Sequence, residues 1–255
     1  MCTATSNGRI RDVMENVVTG EIKRVLQKRR TRERPDADDE PEFGSFRDGP
    51  DEEHTILRGM PDGSIHADPA VFGLRFGAAR EQGRVIPRLN ARAEGLTTTF
   101  PWRFLQGARC LKIADGFYEP EKVQGSKEKV AWSFYQRRSR SGDLDDARPF
   151  FIAGLWNEFV TPDGEVVLTY ALITVEANEA IRVHDRMPAI IPIEDDQAAM
   201  RWLFDPDWPL DLLKPYPAED MEGWRVSDAA KRSRPRQGRY LIEPVTDEPD
   251  QGSLL

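Results

Sequence analysis

The sequence predicts an α+β fold, a single domain with a β-rich core and a few helices at its periphery. Short segments rich in aromatic and branched residues recur through the middle of the chain, and turn residues such as Pro162-Asp163-Gly164 separate them. Because these strands do not alternate regularly with crossover helices, the pattern favours α+β over a parallel α/β sheet. The 255 residues, 39% of them hydrophobic, are enough to bury one substantial core.

The predicted elements follow one another along the chain. Apolar residues recur at helical spacing over residues 10–26, which predicts one helix, or two short ones broken near Gly20. Strands are predicted at residues 71–76, 109–118, 130–135, 149–156 and 166–174. Two helices follow, at residues 176–183 and 194–204. Polar stretches predict surface insertions at residues 137–148 and 205–224, and a closing strand is expected at residues 236–245.

The negative charge of the chain is concentrated in one stretch. The formal net charge is −8, and residues 36–53 hold nine acidic residues against one basic residue, Arg47, a local net charge of −8. The rest of the chain is therefore neutral overall, and acidity argues only weakly against a partner that carries phosphate. We expect one domain over residues 1–245, with a flexible acidic insertion at about residues 30–56 and a tail at residues 246–255.

The composition also bounds location and cofactors. Two cysteines give no disulfide framework, and the first ten residues lack a secretory pattern, which predicts a cytoplasmic protein. No apolar run approaches the roughly 20 residues that cross a bilayer. The sequence has no nucleotide-binding fingerprint, and its cysteines and histidines lack the close spacing of metal ligands. We therefore expect no cofactor, metal or membrane contact. We also expect a monomer.

Cys2 has only Met1 ahead of it, which gives it a chemistry that no internal cysteine has. If Met1 is removed, one residue presents a free α-amine and a thiol two carbons apart. The amine can attack an aldehyde to form an imine, and the thiol can then close a five-membered thiazolidine ring. Ordinary pKa values of about 7.7–8.0 and about 8.5 leave both groups usefully nucleophilic near neutral pH. The alternative is that position two simply holds an ordinary cysteine.

Three further stretches contain residues suited to chemistry. Alternation in an extended segment would place Asn90, Arg92 and Glu94 on one face. Glu119 follows an aromatic pair, and burial there would raise its carboxyl pKa enough for proton transfer near neutrality. His184 lies between a predicted helix and an apolar segment, where it could donate or accept a proton. Each residue also fits an ordinary structural role.

Taken in order, these stretches resemble the SOS-response-associated peptidase (SRAP) family, whose members crosslink themselves to abasic sites in single-stranded DNA. The resemblance spans nearly the whole chain, and the ordered combination is far more specific than any one motif. Its parts are Cys2 directly after Met1, NAR at residues 90–92 followed by Glu94, ADGFYE at 114–119, AGLW at 153–156, the T-x-E-A-N pattern at 174–178, HDRMP at 184–188 and LIEPV at 241–245.

The resemblance implies a barrel-like, mostly antiparallel core and a role for each matched residue. Cys2 is similar to the nucleophile that forms the thiazolidine, and Asn90 to the asparagine that positions it. Glu119 matches the glutamate that moves protons during imine formation, and His184 matches the histidine that assists sugar opening and link reversal. The family is also credited with removing its own leading methionine. The residues that match DNA-binding positions of the family are Arg92, Thr174 and Arg186.

The chain departs from the family pattern at several positions that seat DNA. Thr3 and Ala4 replace the usual glycine and arginine, and Pro120 replaces a tryptophan. Losing aromatic platforms weakens DNA binding, because base stacking is worth about 1–3 kcal/mol per base. The candidates to replace them are Arg9, Phe72, Phe76 and Trp102.

Two other functions remain open from the sequence. One is a thiol-dependent peptidase that acts in trans, with Cys2 as nucleophile and His184 as base. The other is a non-catalytic module that binds single-stranded DNA. Turnover of a peptide without DNA would favour the first, and affinity without a covalent product would favour the second.

Overall fold

The computed structural model describes residues 4–6, 49–76, 85–122, 130–139, 148–231 and 239–245. The predicted helix at residues 10–26, most of the acidic insertion and the tail at residues 246–255 lie outside this part of the chain. The described strands are β1 (Ala4–Ser6), β2 (Glu53–Gly59), β3 (Ile65–Phe72), β4 (Asn90–Arg92), β5 (Arg109–Ala114), β6 (Gly116–Lys122), β7 (Val130–Arg137), β8 (Phe150–Val160), β9 (Val166–Glu176), β10 (Arg186–Pro188), β11 (Ile190–Pro192) and β12 (Met221–Val226). The α-helix α1 (Asp196–Phe204) is joined by 3₁₀ helices at Ala93–Gly95, Trp102–Leu105, Leu210–Leu212, Ala218–Asp220, Asp228–Lys231 and Arg239–Leu241.

Five strands form a closed barrel, in the order β9-β3-β2-β5-β8, because β8 pairs back onto β9. Every pairing in the ring is antiparallel except that of β3 with β9. Where β3 ends at Phe72, the short strand β4 takes over the same edge of β9. The predicted α+β single domain with a barrel-like, mostly antiparallel core is thus confirmed.

The barrel interior is the main hydrophobic core. All six residues of β5 are buried, since one face points inward and the other is covered by α1. Trp202 of α1 is 0% exposed, and its indole N–H donates to the carbonyl of Cys110 at 2.9 Å. Asp195 accepts a hydrogen bond from the Ala198 N–H at 2.9 Å and so caps the helix.

A second, four-stranded sheet has the order β1-β6-β7-β12 and packs beside the barrel. Its small core gathers Tyr118, Phe134 and Val226 with Leu241. Arg137 at the end of β7 is 2% exposed and pairs with Glu194, the residue two positions before α1. This ion pair joins the second sheet to the helix that covers the barrel.

Several sequence-based element predictions are wrong. Residues 177–183 form turns rather than a helix, because the Asn178 side chain accepts from the Ala180 N–H at 3.0 Å and donates to the Tyr216 carbonyl. Such local side-chain hydrogen bonds compete with a helix. Of the closing strand predicted at residues 236–245, the described residues 239–245 form a 3₁₀ turn and one isolated bridge at Pro244 rather than a strand, since proline cannot donate to a ladder.

Other errors concern boundaries. Residues 53–56 of the predicted insertion belong to β2, because Ile56 and Leu57 are needed to fill the core. Of the predicted strand at residues 71–76, only Val71 and Phe72 are in β3. The predicted insertion at residues 205–224 ends in β12, which begins at Met221.

Candidate active site between the second sheet and the barrel

The Glu119 carboxyl lies in the interior of the second sheet. Glu119 is on β6, is 0% exposed, and stands directly opposite Ser133 of β7. Burial raises the pKa of the Glu119 carboxyl to about 7, and the negative charge of Asp185 adds to this, whereas the positively charged amino terminus of the chain acts in the opposite direction. Of the two interpretations that the sequence allows for Glu119, a buried carboxyl or an ordinary strand-end glutamate, the structure has the buried carboxyl. Such a group is half protonated near neutral pH and can both take and give a proton.

The strand on the other side of β6 is the amino-terminal strand β1. Its register sets Ala4 opposite Tyr118, the residue before Glu119. Cys2 lies outside the described residues, as does Arg9. The sequence motif at the start of the chain is therefore connected through β1 to the strand that carries the buried carboxyl.

Asn90 and Arg92 are held by parallel pairing of β4 with β9, which sets Asn90 opposite Leu172 and Arg92 opposite Thr174. Ala91 between them is 1% exposed, so the alternation of the strand turns Asn90 and Arg92 to the other face. Asn90 is half-buried and Arg92 is exposed. The extended NAR segment is as predicted, but Glu94 belongs to the 3₁₀ turn that follows rather than to the strand.

Glu94 forms a two-point ion pair with Arg186. The Arg186 guanidinium donates to both carboxylate oxygens, at 2.9 and 3.1 Å, and also to the main-chain carbonyl of Thr174. The hydrogen bond from Arg186 lowers the pKa of the Glu94 carboxyl. Arg186 is 6% exposed and Thr174 is 1% exposed, so of the three predicted DNA-binding residues only Arg92 lies at the surface. The DNA contacts of all three stay predictions.

His184 lies in the turn between β9 and β10, and its side chain is 26% exposed. Its Nδ1 accepts the Arg186 N–H at 3.0 Å, which requires an unprotonated Nδ1, and lies 2.9 Å from Asp185 Oδ1, an ion pair only if the ring is charged. Burial lowers the pKa of the His184 ring, with the positive amino terminus, Arg186 and Arg92 acting in the same direction. We therefore assign a neutral ring with its proton on Nε2.

The turn that carries His184 brings the two halves of the site together. Asp185 affects the pKa of both Glu119 in the second sheet and His184 beside the barrel. The main chain of Arg182 forms a hydrogen bond with the Tyr135 hydroxyl on β7. Arg92, Glu119 and His184, which lie in three separate stretches of the sequence, are thus brought together around one turn, and Asn90 lies two residues before Arg92 on the same face of β4.

An open cleft of about 620 Å³ lies over the face of β7 and β12. Ser133 and Tyr135 line it from β7, and Arg225 and Arg182 line it from β12 and from the turn before His184. Sequence reasoning missed this cleft and its residues. No local motif marks them, because strand register alone brings Ser133 opposite Glu119.

The candidate stacking residues are mostly unavailable. Phe72 is 1% exposed and Trp102 is 6% exposed, and Phe76 packs edge-to-face on Trp102 with ring centroids 5.9 Å apart. Phe72 and Trp102 are therefore core residues and cannot offer a free ring to a base. The exposed phenylalanines in the described ranges are Phe100 and Phe104, 72% and 65% exposed.

Two classes of site have no support in the part of the chain that the structure describes. No group of three or more His, Cys, Asp or Glu side chains is arranged to hold a metal ion there. Nor does any helix of those residues have the length and apolar character needed to cross a membrane.

Comparison with known proteins assigns the chain to a family. The model of the SOS response associated peptidase (SRAP) family matches residues 9–233. The chain therefore belongs to this family, and the resemblance drawn from the motifs is confirmed. A protein of known crystal structure from Bacteroides thetaiotaomicron shares the fold, with a TM-score of 0.66 over 96% of this chain and 100% of that chain at 16% identity.

Three relatives carry the name abasic site processing protein. YoqW of Bacillus subtilis is 37% identical over 145 residues, 54% of this chain and 59% of that protein. YobE of Bacillus subtilis is 33% identical over 162 residues, 61% of this chain and 68% of that protein. HMCES of Xenopus tropicalis is 30% identical over 158 residues, 57% of this chain and 47% of that protein. The matched region thus spans less than two thirds of YoqW and of HMCES.

Proposed function

We propose that this protein captures abasic sites in single-stranded DNA through a thiazolidine link that Cys2 forms after removal of Met1. The link shields the lesion, and the chain removes Met1 itself. Family membership and the names of the relatives, all abasic site processing proteins, support DNA that has lost a base as the substrate.

The observation that carries the proposal is the buried Glu119 carboxyl on the strand that pairs with β1. Ala4 stands opposite Tyr118, and consecutive Cα atoms are about 3.8 Å apart, so the Cα of Cys2 is within about 8 Å of that of Ala4 whatever conformation it takes. A nucleophilic cysteine at position two is therefore tied to the neighbourhood of a carboxyl whose pKa is about 7.

The chemistry needs such a carboxyl. When the α-amine adds to the sugar aldehyde, the nitrogen must lose a proton and the departing oxygen must gain protons to leave as water. Glu119 can serve both steps because its two protonation states are about equally populated near neutral pH. The thiol of Cys2 then adds to the imine carbon and closes the ring.

His184 and Arg92 complete the proposed site. A neutral His184 with its proton on Nε2 can donate to the ring oxygen of the closed sugar, which opens it to the aldehyde, and can act in reverse when the link is released. Arg92 is exposed beside His184 and can hold a phosphate of the strand with two parallel hydrogen bonds. Asn90, on the same face of β4, is proposed to position Cys2.

Closure of the thiazolidine ring would protect the DNA strand from cleavage as well as attach the protein to it. A plain imine withdraws electrons and promotes elimination of the neighbouring phosphate, which breaks the strand. The saturated thiazolidine carbon cannot do so. An abasic site also spares the protein the few kcal/mol needed to extract a base from a stack.

The test is to incubate the purified protein with a single strand that contains one abasic site and to separate the products by denaturing electrophoresis. We expect a covalent species with the wild type and none with Cys2→Ala. Intact-mass spectrometry of the wild type should show the loss of one methionine. A strand with a tetrahydrofuran analogue, which has no aldehyde, should give no product.

The matched control is Cys110→Ala, which removes the other cysteine of the chain. Cys110 is 0% exposed, and burial raises its pKa far above the ordinary value, so it should not react. We expect this variant to crosslink as the wild type does. A covalent product that persists in Cys2→Ala, or a wild type that forms none, would overturn the proposal.

A further inference from the structure

The Glu119 side chain is buried, but Ser133, the residue directly opposite it on β7, lines the cleft. Directly opposite residues of an antiparallel pair point to the same face, with Cβ atoms about 4.5–5.5 Å apart. Glu119 and Ser133 form such a pair, and Ser133 lines the cleft of about 620 Å³. The two side chains therefore lie next to each other on one face of the second sheet, at the inner end of this cleft.

Tyr135 is the next polar residue after Glu119 and Ser133 on this face of the second sheet. It lies two residues after Ser133 on the same face of β7, hydrogen-bonds to the Ser133 side chain, and also lines the cleft. Its hydroxyl accepts a hydrogen bond from the main-chain N–H of Arg182. With that acceptor position filled, the phenolic proton is directed elsewhere, toward Ser133 or toward water in the cleft.

The tyrosine ring is fixed in place by its neighbours. Phe117 stacks on it with ring centroids 5.6 Å apart and ring planes 25° apart. On the other side it lies over Gly223 of β12, where an added Cβ would come within 2.2 Å of the ring. Residue 223 is thus a glycine because the ring occupies the space of a side chain, and this close packing sets where the hydroxyl lies.

We propose that Ser133 and Tyr135 form a hydrogen-bonded relay that exchanges protons between the Glu119 carboxyl and water in the cleft. In one direction, Glu119 gives its proton to Ser133 Oγ, Ser133 gives its own to Tyr135 Oη, and Tyr135 gives its own to water. The reverse sequence reloads the carboxyl. Each oxygen gains one proton and loses one, so both hydroxyls are unchanged after each transfer.

The relay gives the buried Glu119 carboxyl a route for exchanging protons with water. Glu119 has to change protonation state during each capture, while the proposed nucleophile approaches it from β1, on the side of β6 away from β7. A path through the second sheet lets it do so without opening the reaction to water. The inference rests on the proposed function, and it makes Ser133 and Tyr135 positioning residues that act through Glu119.

The experiment compares rates of covalent capture at saturating single-stranded abasic DNA for Ser133→Ala, Ser133→Thr and Tyr135→Phe. We expect Ser133→Ala and Tyr135→Phe to slow capture about tenfold, a small part of what general acid–base catalysis contributes. Ser133→Thr keeps the hydroxyl and should stay within about twofold of the wild type. Affinity for the tetrahydrofuran strand should be unchanged in all three, because neither residue contacts DNA in this scheme.

Two further variants of this protein serve as controls. Glu179→Gln alters another cleft-lining residue without touching the relay and should react as the wild type does. Glu119→Gln should abolish fast capture. If the wild type forms no covalent product, or Glu119→Gln captures at full rate, the proposed function fails and the relay fails with it. If Ser133→Ala or Tyr135→Phe captures at the wild-type rate, or if Ser133→Thr is as slow as Ser133→Ala, the relay is overturned and the proposed function is not.

Discussion

At the scale of single residues, the site depends on a carboxyl that the fold keeps out of water. Glu119 is flanked by the buried aromatic rings of Phe117 and Tyr118 and is itself 0% exposed. Removing a carboxylate from water is costly, so its proton is held more tightly than in an exposed glutamate. The protein therefore loses stability when this group ionises, and in return holds a carboxyl that titrates near neutral pH.

Because ionisation of the buried Glu119 carboxyl costs stability, Glu119→Gln should change the free energy of unfolding in a pH-dependent way. The pKa of Glu119 is about 7 in the folded protein and 4.5 ordinarily, so its stabilising effect is complete below pH 4.5 and is lost as the pH rises through 7. Glutamine cannot ionise. At pH 5 the two proteins should be about equally stable, and at pH 8 the variant should be the more stable, by at most about 3 kcal/mol.

Urea denaturation at the two pH values measures this difference. Glu121→Gln is the matched control, since Glu121 lies on the same strand and face but is exposed. It should shift stability equally at both pH values. An equal effect of Glu119→Gln at pH 5 and pH 8 would contradict the burial argument.

At the scale of elements, short strands are held in place by side chains rather than by long ladders. β4 and β10 have three residues each and lie on opposite edges of β9. The ion pair between Glu94, just after β4, and Arg186, at the start of β10, links the two across the end of β9. This pair fixes the position of Arg92 and of the His184 turn at once.

Glu94→Gln should therefore weaken both the fold and the site. The Arg186 guanidinium is buried and would keep its positive charge without the carboxylate, but Glu94 itself is more than half exposed, so we expect a loss of about 1–2 kcal/mol in the free energy of unfolding. Under the proposed function, affinity for single-stranded DNA should also fall, because β4, which carries Arg92, loses this link to β10. Differential scanning calorimetry and a binding titration measure the two effects. Glu158→Gln, on an exposed part of β8, should change neither.

At the scale of the whole molecule, the second sheet and the barrel are joined by Arg137 and Glu194. The Arg137 guanidinium donates to the Glu194 carboxylate, to the Tyr216 hydroxyl at 3.0 Å and to the Pro149 carbonyl at 2.8 Å. Although burial opposes it, this pairing lowers the pKa of Glu194 to about 2. The candidate site lies between the second sheet and the barrel, so its geometry depends on the Arg137–Glu194 ion pair.

Glu194→Gln should make the protein less sensitive to acid. The folded pKa of about 2 lies below the ordinary 4.5, so the stability that this carboxylate supplies is present above pH 4.5 and is lost as the pH falls through 2. The variant lacks that contribution at every pH. Its unfolding free energy should be lower than that of the wild type at pH 7, and the gap should close toward pH 3. A gap that stays constant would mean that the pair does not titrate in this range.

The sequence predicted those features of the fold and the site that depend on a local pattern of residues. The apolar runs at β7, β8 and β9 predicted those strands, and the aromatic pair before Glu119 made its burial one of two interpretations. It could not recover what depends on pairing between distant strands. Ser133 and Tyr135 have no motif of their own, and only the register of β7 with β6 sets Ser133 opposite Glu119. The turn at Asn178 was missed for a different reason, since one amide side chain overrides a helical spacing there.

The antiparallel pairing of β1 with β6 also has a practical consequence for recombinant protein. β1 is an edge strand among the described residues and begins two residues after Cys2, so under the proposed function an affinity tag fused ahead of Met1 would keep the amine of Cys2 in a peptide bond. Purification handles and fluorescent labels belong after Leu255. If the proposed function holds, protein tagged ahead of Met1 should be inert toward abasic DNA until a protease releases cysteine as the first residue.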